Sequence, residues 1–87
     1  MNKSRLFSLY CPDMQETMMF LTYFNEHGDV EKVGIRYLST REGQNSKKIN
    51  HMEYSVQEAI MLVGTARNVW YDLTNEGWRE LHERISI

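Results

Sequence analysis

The chain has 87 residues, of which 41% are hydrophobic and 25% charged, and it carries a net charge of −2. That is the composition of one globular domain, residues 1–87, rather than of a disordered chain, and at this length only about 60% of the unfolded surface is buried. The acidic balance argues against a general nucleic-acid binder, the single Cys11 against a disulfide framework or multi-cysteine metal site, and the lack of an apolar run of about 18 residues or a secretory segment points to a cytoplasmic protein without a membrane partner.

Residues 5–10 read as a strand that Pro12 interrupts. The next stretch has two readings. In the first, residues 17–25 are a strand that turns through Glu26-His27-Gly28-Asp29 onto a following strand. Thr17, Phe20, Thr22, Tyr23 and Phe24 favour a sheet, and Gly28 supplies the positive φ of such a turn. Met19, Leu21 and Tyr23 then face the same way as Val33, Ile35 and Tyr37. In the second reading Pro12 starts a helix, Asp13 and Glu16 lie in its first turn, Gly28 ends it, and Met14, Met18, Leu21 and Phe24 share a face.

Residues 30–38 alternate, with Val33, Ile35 and Tyr37 on one side and Lys32, Gly34 and Arg36 on the other, as in a half-buried strand. Residues 41–48 form a polar loop, and residues 49–54 a short strand. Residues 55–76 read as one long amphipathic helix. Ser55 and Glu58 have capping-box spacing, and Val56, Ala59, Leu62, Val63, Ala66, Val69, Trp70 and Leu73 fall in one arc of roughly 140°. Gly77 closes the helix and Trp78 follows as a hydrophobic clasp. Residues 78–87 fit a strand better than a helix.

The first reading gives an α+β fold, an antiparallel β-meander covered on one face by one long α-helix. The second gives a ferredoxin-like βαββαβ order. In the meander, the strand at residues 17–24 is apolar on both sides, while one helix covers one side only. The other side of the 30–38 strand gathers Lys32, Gly34, Arg36 and Leu38, with Phe20 and Phe24 assigned to the same face. Ile60, Gly64 and Tyr71 would make a second apolar strip along the helix. These nine residues are the candidate contacts of a small non-enzymatic module that binds a protein partner or forms a homodimer. The six methionines suit either an adaptable surface or core filling.

Catalytic chemistry has little support. His27, His51 and His82 lie in different segments without ligand spacing, Cys11 has no base marked beside it, and Asp13 and Glu16 are best read as decoration near a turn. The isolated glycines make no phosphate cradle, and no cofactor is expected.

Two family resemblances bear on function. In the helix reading, Leu6-Phe7-Ser8-Leu9-Tyr10, the passage from Phe24 through Val33, and Lys47-Lys48-Ile49-Asn50-His51-Met52-Glu53-Tyr54 resemble the first strand, helix-to-strand passage and third-strand signature of an RNA-recognition motif. That resemblance implies binding of RNA or single-stranded DNA on the sheet, with Phe7, Lys32, Arg36 and Lys48 as contacts. Ile49 and His51 stand where the family places stacking aromatics, and Lys48 where it places a glycine. Separately, Glu58-Ala59 and Trp70-Tyr71-Asp72-Leu73-Thr74-Asn75-Glu76-Gly77-Trp78 resemble small uncharacterised proteins of marine cyanobacteria and their phages, whose helix ends Leu-x-x-x-Gly-Trp. This second resemblance implies an accessory or regulatory protein and no particular activity.

Overall fold

Thr17 to Phe24 carries enough β-branched and aromatic residues to make a strand, and both of its faces are apolar enough to be packed on. The structure, a computed structural model, describes residues 4–13 and 15–81. The elements run β1 (Ser4–Cys11), β2 (Glu16–Phe24), β3 (Val30–Ser39), β4 (Ser46–Ile49), β5 (Met52–Ser55), β6 (Ala59–Leu62), α1 (Val63–Asn75) and β7 (Arg79–Glu80). β1, β2 and β3 form an antiparallel meander. β6 and β7 extend it into a five-stranded sheet of order β6-β3-β2-β1-β7, and β4 pairs with β5 in a separate hairpin. The fold is therefore α+β with one helix among the described residues, and the ferredoxin-like order is not adopted. The tail proposed as a strand begins as β7, and residues 82–87 lie outside the described residues.

The helix is shorter than the sequence pattern predicts, with 13 residues from Val63. Ala59-Ile60-Met61-Leu62 instead lies along the outer edge of β3, Ala59 opposite Ile35 and Leu62 opposite Lys32. An uncharged apolar run of four fits either state, and β3's unpaired edge decides for the strand. Ser55 consequently caps no helix, and its hydroxyl accepts the Gln57 N–H in a local turn. The C-terminal half of the predicted arc holds, with Ala66, Val69 and Leu73 buried and Val63 and Trp70 packed beside them. The helix stop also holds. Gly77 has φ +100°, its N–H donates to the Thr74 carbonyl, and the Trp78 N–H donates to the Leu73 carbonyl, which is the Schellman pattern. Trp78 is buried as the clasp.

The β2–β3 register differs from the expectation by one residue. The turn closes Phe24 on Val30, helped by the Asn25 side chain accepting the His27 and Asp29 N–H groups and by Gly28 at φ +83°. That closure alone would pair Leu21 with Val33. Instead Tyr23 pairs with Lys32, so Glu31 is an extra residue, and this bulge shifts every later pair by one. Met18, Phe20 and Thr22 therefore share a face with Tyr37, Ile35 and Val33, while Met19, Leu21 and Tyr23 turn to the other side. Phe20, assigned above to the open face, is a core residue. Its ring meets Trp70 edge-on at 5.1 Å between centroids.

Residues 49–54 are likewise not one strand. Asn50 and His51 both have positive φ, +48° and +71°, and form the two-residue turn of the β4–β5 hairpin. The hairpin joins α1 on the core face of the sheet. Tyr54 lies in the same cluster as Leu9, Met18, Ile35, Tyr37, Leu73 and Trp78, and the Asn50 amide donates to the Asp72 carboxylate on the helix.

Candidate functional site: an uncovered sheet face

Since side chains alternate along a strand, the register fixes what the far side of the sheet displays. Four rows cross it. Ser4, Tyr23, Lys32 and Leu62 make the first; Leu6, Leu21, Gly34 and Ile60 the second; Ser8, Met19 and Arg36 the third; and Tyr10, Thr17 and Leu38 the fourth. No described element packs on this side. Leu6, Ile60 and Leu62 are each more than half exposed, at 56%, 57% and 62%, and Leu38 is exposed too. Exposed apolar residues scattered singly need no explanation, but Leu6, Leu21 and Ile60 lie in one row.

Gly34 has a specific role in this face. The Glu58 side chain lies directly over it, and a Cβ at position 34 would overlap the Glu58 carboxylate. The Tyr23 hydroxyl donates to Glu58 Oε1 at 2.6 Å. That bond, first, together with desolvation and the carboxylate's charge, raises the Tyr23 phenol above its ordinary range, and Arg36 opposes the shift. Glu58 is thus laid flat against the sheet between Lys32 and Arg36 in the register.

The predicted contact residues divide. Lys32, Gly34, Arg36 and Leu38 share the face as expected, and Ile60 joins their sheet through β6. Phe20 is in the core, and Phe24 is half-buried beyond the bulge. The strip of Ile60, Gly64 and Tyr71 does not form, because Ile60 is on β6 and faces away from α1, while Gly64 and Tyr71 are exposed on the helix. The alternative set for nucleic acid is also split. Phe7 lies on the helix side, edge-on to Trp70 at 6.4 Å between centroids, and Lys48 is on the separate hairpin. The segment that resembles a third-strand RNA signature is that same hairpin.

Sequence reading missed two features. Leu6, Leu21, Tyr23, Glu58 and Leu62 belong to the open face, and the alternation of β1 with β2 on a corrected register would have found most of them. The second is a buried polar cluster under β4. Glu16 is only 1% exposed. It accepts a hydrogen bond from the Tyr37 hydroxyl and pairs with the Lys47 ammonium at 3.3 Å. Lys47 also lies 5.7 Å from the centre of the Trp78 ring. Burial first, then the bond to Glu16, pushes the Tyr37 phenol up to about 12, against opposing bonds from Ser39 and Gln44. A phenol held that firmly protonated is a donor rather than a base, so the cluster reads as a clasp between β2, β3 and β4.

An open groove of about 330 Å³ also runs between α1 and β1, lined by Phe7, Phe20, Trp70 and Tyr71 with Arg67 at its margin. Cys11 is half-buried and unpaired, and His27 and His51 are exposed. Among the described residues no three of His, Cys, Asp and Glu gather as metal ligands, and no helix is long and apolar enough to cross a membrane. Comparison with protein-family models, curated proteins and solved structures gives no match.

Proposed function

We propose that this protein is a small non-enzymatic interaction module whose binding surface is the uncovered face of its sheet. The partner is another protein or a second copy of the chain. The observation that carries the reading is the row Leu6, Leu21, Gly34 and Ile60 across four paired strands, flanked by Lys32 and Arg36, crossed at Gly34 by the Glu58 side chain, and covered by no described element on the side away from α1. A layered domain ordinarily buries each apolar sheet face against another layer. Here the described residues supply that layer once, as α1 with the β4–β5 hairpin.

The same surface explains the choice of charges. Lys32 and Arg36, with the Glu58 carboxylate between them, make a charged strip beside the apolar Leu6, Leu21 and Ile60, and an interface likewise sets polar groups beside apolar ones. A site for chemistry would instead need a concave pocket with convergent polar groups and a poised acid or base. Among the described residues the one buried carboxylate, Glu16, is held by Tyr37 and Lys47 on the opposite side.

In-cell photo-crosslinking tests the reading. A benzoylphenylalanine at position 60 or 6 is expected to yield a protein adduct, and the same group at Glu42 or Glu53, exposed elsewhere, is expected to yield none. Adducts at no face position, or equal adducts at all four, would overturn it.

A further inference from the structure

We infer that the occupant of this face is a second copy of the chain, docked sheet on sheet about a two-fold axis parallel to the strands and lying between β2 and β3. The inference rests on the proposed interaction surface and adds its partner and geometry.

Shape comes first. Four strands about 4.8 Å apart make a face about 19 Å wide, and Thr17 to Tyr23 runs about 20 Å along it. One helix, about 10 Å across, covers half of that width. A matching sheet at about 10 Å covers all of it. The footprint is about 400 Å² per copy in projection, and more as accessible surface once side-chain relief is counted. The total of about 800 Å² in projection lies below the roughly 1,200 Å² at which stable interfaces begin, so the dimer is weak and its population follows concentration.

Charge then selects the axis. Each face carries Lys32 and Arg36, both on β3, and Glu58 beside them, which sums to +1. An axis across the strands would stack β3 on β3 and bring four cations into one column, which repels. The axis along the strands stacks β3 on the second copy's β2, which has no charge on this side. Lys32 then lies over the second copy's Tyr23 ring, Arg36 over its Met19, and Ile60 against its Leu6. Gly34, the one position in its row without a side chain of its own, is covered by Glu58, whose carboxylate keeps its bond to Tyr23 and sits between Lys32 and Arg36 at the seam. Every contact occurs twice, as an isologous interface requires.

The test is sedimentation equilibrium on the full chain from about 5 to about 500 µM, a range that brackets weak association. The parent is expected to pass from monomer to dimer over that range. Ile60→Asp and Leu6→Lys alter exposed side chains, so circular dichroism is expected to report an intact fold while each alone stays monomeric. The double variant Ile60→Asp/Leu6→Lys is expected to regain the dimer, because the new carboxylate of one copy meets the new ammonium of the other. A parent monomeric throughout overturns the inference, as does a dimer indifferent to both single substitutions. So does a double variant no better than the singles. A monomeric parent that still yields face-specific cross-links to a different protein overturns the dimer and leaves the interaction module standing; no dimer and no cross-links remove both.

Discussion

Lys47→Met is the sharpest test of the core. Lys47 is the ion-pair partner of Glu16, with side chains 20% and 1% exposed respectively. At 3.3 Å and an effective dielectric near 20, the gross attraction is about 5 kcal/mol, and desolvation of both groups offsets part of it. Methionine keeps the side-chain bulk over Trp78 but leaves a buried carboxylate that retains the Tyr37 hydroxyl as its donor. Breaking a buried pair this way costs about 3–5 kcal/mol, and Lys47's partial exposure places this case near about 3 kcal/mol. Against a total of about 4–13 kcal/mol for a chain of this size, that is a large fraction. Urea unfolding followed by Trp fluorescence is expected to show the midpoint falling by about 1–3 M. Glu16→Gln/Lys47→Met, which removes both charges and keeps an acceptor for Tyr37, is expected to recover more than half of the loss. A single variant within about 0.5 kcal/mol of the parent would refute the buried-pair reading, as would a double variant worse than the single.

Other positions carry their own outcomes. Gly77→Ala forces a side chain into a φ of +100°, and is expected to cost about 1 kcal/mol and to redden the Trp78 emission as the clasp loosens. Glu58→Ala removes the largest cause of the raised Tyr23 phenol, so its titration, followed by NMR of labelled tyrosine, is expected to fall toward the ordinary value, while an unchanged titration would contradict the Tyr23–Glu58 bond. Tyr37 gives a pH dependence with a definite sign. Its folded value lies near 12 against an unfolded value of 10.0, so the folded state binds more protons between them. Its contribution is complete below 10 and is lost as pH rises toward 12. Tyr37→Phe is expected to flatten that alkaline loss in denaturation curves, and a parallel loss in both proteins would refute the assignment.

The parts of the fold legible in sequence are those where one local signal has no competitor. Val33, Ile35 and Tyr37 alternate through the centre of the sheet, and Gly77-Trp78 ends the helix through backbone bonds that only a glycine-tolerant position supports. The apolar run Ala59-Ile60-Met61-Leu62 has two competing signals, and only a neighbour distant in sequence, the bare edge of β3, chooses between them. The register of β2 was lost to a single extra residue, Glu31, and with it the facing of Phe20. Four of the nine candidate contacts survived that error because Lys32, Gly34, Arg36 and Leu38 belong to β3, whose own alternation is unaffected. Glu16 was unreadable, since its partners Tyr37 and Lys47 are 21 and 31 residues away and a lone carboxylate after a turn looks like surface.

The account stands or falls on the openness of the sheet's far side, and solvent paramagnetic relaxation of methyl groups reads that directly. In dilute, monomeric protein with a soluble gadolinium chelate, the methyls of Leu6, Ile60 and Leu62 are expected to relax strongly while those of Leu9, Ile35 and Leu73 stay protected. Raising the concentration is expected to shield the first group selectively. If Leu6, Ile60 and Leu62 are as protected as the core at the lowest concentration, the surface proposed for binding is not available, and the account is wrong.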